Sequence, residues 1–348
     1  MSKLWNDIVR QPQELQACLE YTMGSGGKAR LDAAASLVNQ SRHVYITGIG
    51  ASWHASIGVQ HLFQMHGIPA HAVDTAELEI MWPIAADATV IVLSRSGRSI
   101  EIIRVLEKAK HANARIVAIT NAGDSPLARG ADVALLCNVQ FDNAASIATY
   151  TAPGLVGGLL AARCAAVMDE ALVASLSTAF AQTGVRIHSW RDVIERSDWL
   201  NINAPTFFLA RGGSMASSYE GRLLWIEVAR AASSAMGTGA FRHGPQEILA
   251  AGRARIAIWI DAERSREQDM QLVRDLRKYD CPIFLIGQKI SGNSTDLCID
   301  LPQIPADWQF LIDIVPLQIA VEIHGMWRGF DPDSFEICSH VVESEGGL

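Results

Sequence analysis

Val44-Tyr-Ile-Thr-Gly-Ile-Gly-Ala-Ser52 returns later in the chain as Phe207-Phe-Leu-Ala-Arg-Gly-Gly-Ser214, with Gly50 matched to Gly212 and Ser52 to Ser214. In both, a short apolar run breaks into glycines, ends on a serine and gives way to a helical pattern. Two more pairs keep the same order. Thr89-Val-Ile-Val-Leu-Ser94 is matched by Arg255-Ile-Ala-Ile-Trp-Ile260, and Arg115-Ile-Val-Ala-Ile-Thr120 by Pro282-Ile-Phe-Leu-Ile-Gly287. The offsets are 162, 166 and 167 residues, and three ordered matches at so steady a spacing make a duplication.

Within each half, short apolar runs alternate with amphipathic helical patterns, which predicts an α/β fold of two parallel sheets flanked by helices, three layers each. After Ser99, Ile100, Ile103 and Val105–Leu106 are expected to face the core, and Glu101, Arg104, Lys108 and Lys110 to face away. Expected boundaries are a helical segment at 1–34, a first domain at 35–168, a helical linker at 169–198, a second domain at 199–335 and a tail at 336–348. Trp308–Trp327 reads as a helix broken or kinked at Pro316.

The chain has 348 residues, 49% of them hydrophobic and 19% charged, enough for two well-filled cores. Its formal charge of −8 argues against nucleic acid as a partner, because that affinity is built on clustered Lys and Arg. No cationic leader opens the sequence, and the most apolar stretch, Gly154–Met168, is too short to span a bilayer and contains Arg163. It reads as a buried helix, and its Gly and Ala content through Ala166 as favouring a dimer. Six cysteines are scattered without metal-ligand spacing, so free thiols in a reducing cytoplasm are expected and no metal is.

Parallel sheets bind ligands where strand C-terminal ends turn into helices, which brings Gly50–Ser52, Ser94–Ser99 and Gly212–Ser214 to binding edges. Ser94-Arg-Ser-Gly-Arg-Ser99 has hydroxyls, a glycine turn and a helix start, the composition of a phosphate cradle. The same serines read equally well as helix caps, through Ser96 or Ser99. Farther along, His243 stands in Phe241-Arg-His-Gly-Pro245, sixteen residues after Glu227. A histidine on that turn either exchanges protons near neutral pH or merely hydrogen-bonds the turn. Glu227, within the apolar Leu223-Leu-Trp-Ile-Glu-Val-Ala229, is either paired with Arg222 or Arg230 or held in a dry site.

Taken in order, GxGxS, SxSGxS, strand–RGxS, Glu227 and HGP resemble the tandem sugar isomerase (SIS) domain enzymes over residues 35 to 348. The best-known member is the isomerase half of glucosamine-fructose-6-phosphate aminotransferase. Gly239-Ala-Phe-Arg-His-Gly-Pro-Gln-Glu-Ile248 looks closest to the branch containing fructoselysine-6-phosphate deglycase. The resemblance implies substrate contacts at Gly50, Ser52, Ser94, Arg95, Ser96, Ser99, Thr149 and Ser339. It makes Glu227 the enolising carboxylate and His243 the ring-opening group, reaching into a neighbouring subunit's site in a homodimer. Three family lysines are absent: Leu224 stands in the place of one, Ser339 in that of another, and the third is missing around Tyr150–Thr151.

The activity implied is enediol or enaminol chemistry on aminosugar or fructosamine 6-phosphates, with no cofactor, no membrane and no glutaminase activity. An aminosugar-6-phosphate isomerase or deaminase and a non-catalytic sugar-phosphate sensor are the alternatives.

Overall fold

The computed structural model describes residues 1–252, 254–337 and 342. The first half runs α1 (Lys3–Met23), α2 (Ser25–Asn39), β1 (His43–Gly48), α3 (Ala51–Met65), β2 (His71–Asp74), α4 (Thr75–Ile80), β3 (Ala88–Ser94), α5 (Ile100–His111), β4 (Arg115–Thr120), α6 (Pro126–Gly130), β5 (Val133–Leu136) and α7 (Ala148–Cys164). The long helix α8 (Glu170–Glu195) then leads into β6 (Thr206–Ala210), α9 (Met215–Glu227), β7 (Ser233–Gly237), α10 (Thr238–Phe241), β8 (Arg255–Ile260), α11 (Arg266–Arg277), β9 (Ile283–Gln288), β10 (Leu297–Leu301) and α12 (Val315–Trp327).

The sheets are ordered β2-β1-β3-β4-β5 and β10-β9-β8-β6-β7, with every pairing parallel. Counted from its own first strand, the second sheet has the order of the first. The duplication read in the sequence is therefore a repeat of topology. Gly50 and Gly212 even share a φ of +56°, a backbone setting that glycine adopts at no steric cost.

Strand alternation sorts the central strands between layers. In β3, Ile91 and Leu93 enter a core shared by both halves, while Val90 and Val92 enter an outer core beneath α5. In β8, Ala257 and Trp259 face the shared core, and Ile256, Ile258 and Ile260 a second outer core. The shared core holds α3 and α7 between the sheets. On the opposite face, α5 buries Ile102, Val105, Leu106 and Ala109. The expected helix face is thus rotated: Glu101 is buried, and Ile103 is only half-buried. The short apolar spacing was compatible with either rotation.

Helix α7 is buried from Ala148 through Ala162 inside one chain. A Cβ on Gly157 would lie 2.5 Å from a Val59 methyl of α3, and one on Gly158 2.6 Å from the Trp308 ring. Its small residues therefore serve close packing within the chain and carry no argument for a dimer. The stretch Ala306–Trp327 is apolar and long enough to cross a membrane by composition, yet 89% of its window is buried within the protein. It is a 3-10 helix, Ala306–Leu311, followed by α12 with Pro316 in its first turn, so the proline opens a helix rather than kinking one.

Gly157→Ala is expected to destabilise the protein by about 1–3 kcal/mol, because overpacking against Val59 outweighs the helix propensity gained. Gly26→Ala, in open space on α2, should instead stabilise by up to about 1 kcal/mol. Urea denaturation of both variants measures the contrast.

Candidate functional site

In the first half, the strand order reverses between β1 and β3, so the loops after these strands flank one crevice. Gly50 turns the chain into α3, and Ser52 is buried in that helix's first turn. Ser94 ends β3 with its Oγ accepting the Gly97 N–H at 3.0 Å, and Ser96 Oγ accepts the Arg98 N–H at 3.3 Å. These bonds shape the loop. Ser99 is the N-cap residue of α5, as the alternative reading allowed, but its hydroxyl makes no capping hydrogen bond. The Ile100 N–H of that first turn donates to the Val342 carbonyl at 3.0 Å.

Two further expected contacts are committed elsewhere. The Thr149 N–H and hydroxyl both donate to Asp142, which also takes the Ile147 N–H and pairs with Arg10. Arg95 donates to the Ala144 carbonyl at 3.4 Å with its guanidinium over the Phe141 ring. Ser339 lies outside the described residues.

Helix α9 delivers Glu227. It packs antiparallel on α3: Gly213, before α9, abuts the ring of His61 near the end of α3, and Glu220 meets His54 near the start of α3. Seven more residues, about 10 Å of helix, carry Glu227 past that start toward the first-half crevice. Glu227 is partly buried and has no hydrogen bond or ion pair among the described residues. Arg222 lies over the Tyr219 ring instead, and Arg230 pairs with Glu336. Neither arginine pairs with Glu227 among the described residues. Burial, then the nearby Glu220 carboxyl, pushes its pKa up to about 8.

His243 is exposed on the turn after α10, with its backbone N–H on the Ala240 carbonyl and no ring partner among the described residues. Glu227 precedes the start of β7, and His243 follows its end. Five extended residues, about 16 Å, separate the two levels, so one chain does not bring them together.

The sequence reading missed a buried pair beside this site. His54 Nδ1 and Glu220 Oε2 are 2.7 Å apart, with both side chains at most 2% exposed. Burial drives the His54 pKa down to about 3 and the Glu220 pKa well up, so desolvation disfavours the charged form of each group. Glu220 lies two helical turns before Glu227 on the same apolar helix, and that spacing was the available signal.

The matching crevice of the second half is filled by the protein itself. Ser214, the counterpart of Ser52, donates to Asp313 at 2.6 Å, as does Ser217 at 2.5 Å. Burial raises the Asp313 pKa to about 7. Where the first half has its serine loop, Asp269 of α11 is fully buried and accepts from Thr238 Oγ1, Ser265 Oγ and the Asp261 N–H. Arg211 reaches it at 3.3 Å. A carboxylate thus takes the donors that an incoming anion would need. Among the described residues, no three His, Cys, Asp or Glu side chains are grouped to hold a metal ion.

Because the folded-state pKa of Glu227 lies above its ordinary 4.5, the folded protein binds more protons than the unfolded chain between pH 4.5 and about 8, and stability falls across that window. Glu227→Gln removes this slope. Its melting temperature should exceed that of the parent by a margin that grows from pH 5 to pH 8, as followed by circular dichroism.

Residues 37–163 match the SIS domain family. The glutamine–fructose-6-phosphate aminotransferase (isomerizing) of Pyrobaculum aerophilum is 24% identical over 351 residues, covering 94% of this chain and 55% of the relative. The chain thus spans about half the length of the curated relatives it matches. Among solved structures, the C-terminal domain of glucosamine-fructose-6-phosphate aminotransferase from Francisella tularensis superposes with a TM-score of 0.83 at 17% identity, covering 95% of this chain and 97% of that one. Glucosamine-6-phosphate deaminase from Thermotoga maritima gives 0.79 at 21% identity, covering 98% and 99%. The family match thus lies in the first half, and the second half repeats that half's strand order.

Proposed function

We propose that this chain is a phosphosugar enzyme that acts on fructosamine or aminosugar 6-phosphates, with Glu227 as its carbon base. The observation that carries the reading is Glu227 itself, an unpaired carboxylate in a dry site that α9 directs to the first-half crevice. An ionisable group with a pKa of about 8 is suited to exchange a proton near neutral pH. In the deglycase form of the reaction, the substrate phosphate rests at Ser94, Ser96 and Ser99, with Gly50 and Ser52 beside it. Glu227 takes the C1 proton, the C–H electron pair becomes the C1–C2 double bond, and the C2=O π pair moves to the C2 oxygen, which takes a proton to complete the enaminol. Protonation at C2 moves the double bond to C1–N, and water then releases the aldose phosphate and the amine.

Leu224, one helical turn before Glu227 and 1% exposed, supports a substrate that brings its own nitrogen. It adds apolar cover where relatives carry a lysine. The aminosugar isomerase or deaminase reaction would use the same base and differ in the bond broken. Cytoplasmic location is part of this proposal, supported by five unpaired cysteines among the described residues. A homodimer with shared sites is the other part, supported by the exposed His243 and its separation from Glu227.

Incubation with a panel of fructosamine 6-phosphates should release free amine, and Glu227→Gln should lower both amine release and deuterium wash-in at C1 by at least about 10²-fold. Unchanged wash-in in the Gln variant would sink Glu227 as the base. In a second test, inactive Glu227→Gln and His243→Ala proteins, mixed with subunit exchange verified, should regain activity through hybrid dimers. No recovery would place both residues in one chain's site.

A further inference from the structure

A cavity of about 720 Å³ opens at the other end of the second sheet, where β6, β7 and β8 begin. No Asp or Glu lines it, although the whole chain carries a net charge of −8. Three arginines line it instead, Arg230, Arg255 and Arg328, together with His324. Arg255 is 2% exposed and has no carboxylate partner among the described residues. Its Nε donates to Thr206 Oγ1, and one terminal nitrogen donates to the Trp199 and Leu200 carbonyls. Its guanidinium stacks 4.6 Å from Trp225 and 5.1 Å from Trp199. These contacts leave the other terminal nitrogen without a hydrogen bond among the described residues.

His324 is 8% exposed, stacks on Trp225 at 4.6 Å and buries an Nδ1 that has no partner. Arg328 donates to the Arg230 carbonyl and contributes to lowering the Arg255 pKa, so these cations repel across the cavity. Arg230 has one acid, Glu336, which is itself exposed and lies outside the cavity lining. A buried arginine without a counter-ion, a second arginine repelling it and an orphaned imidazole are each costly. One anion in the cavity would offset all three.

We infer that this cavity is a second ligand site, built for a phosphate monoester and separate from the first-half crevice. Several cations converging on one acid-free cavity suit a dianion, and the hydroxyls of Ser233 and Ser234 line the same wall. The bound group would rest against the link from α9 to β7. Arg230 in that link has a φ of +47°, three residues after Glu227.

The test is calorimetric titration of the full chain with inorganic phosphate in chloride buffer, repeated on Ser94→Ala/Ser96→Ala, Arg328→Gln and Arg328→Lys. The serine variant should bind at this site within about twofold of the parent, whereas Arg328→Gln should bind at least about tenfold more weakly, the loss of one charge-assisted contact. Arg328→Lys should recover part of that loss, which a folding defect would not. Repeating the titration with fructose 6-phosphate on the serine variant distinguishes free phosphate from a phosphosugar as occupant. The inference is overturned if the serine variant binds no phosphate or if Arg328→Gln binds as the parent does. Either result leaves the Glu227 reading to its own isotope test.

Discussion

The two halves meet through α3 and α9, and the buried bond between His54 and Glu220 fixes how they meet. A carboxyl and an imidazole with almost no exposure to water must find each other or pay a desolvation cost of about 1–3 kcal/mol apiece. Sliding α9 by one turn along α3 would break that pairing and leave both groups orphaned. The pair therefore sets a register as well as a contact. The register decides where α9 ends, and α9 ends on Glu227. The antiparallel course also turns the second sheet over relative to the first, so Glu227 approaches the first half's crevice from the far end of its own sheet.

This arrangement explains why equal topologies do unequal work. The first crevice keeps the Ser99 hydroxyl free of a capping bond and a glycine turn beside it, whereas the second has committed Ser214 to Asp313, and Thr238 and Ser265 to Asp269. The second half instead contributes the helix that carries the carboxylate. Dryness around Glu227 follows from the same packing, since Leu224 and Trp225 are buried in the shared core one turn away.

Much of this was legible in the residues. Apolar runs at steady offsets marked the central strands, and Arg115–Thr120 and Arg255–Ile260 are strands at those limits. Edge strands left little trace. Ser233-Ser-Ala-Met-Gly237 has neither alternation nor an apolar run and is a strand because β6 offers it a parallel partner. Individual side-chain duties were harder still. Thr149 looked available for substrate, but Asp142, seven residues earlier in the chain, claims it through tertiary hydrogen bonds. The face of α5 was misjudged because Ile102 and Ile103 are adjacent, and only packing chooses between them. Glu220 went unread because its partner His54 lies 166 residues away.

The carboxylate that fills the second crevice also bears on how such a chain changes over generations. Asp269, Thr238, Ser265 and Arg211 form one connected set of donors and an acceptor around a buried carboxylate. Loss of one member strands the rest in a buried place, so descendants should exchange these positions together or keep them all. The hydroxyls of Ser94 and Ser96 in the first crevice are tied only to backbone N–H groups of their own loop, so these positions can change one at a time. Doubling the fold thus split its inheritance into a part that drifts as a block and a part that can vary residue by residue.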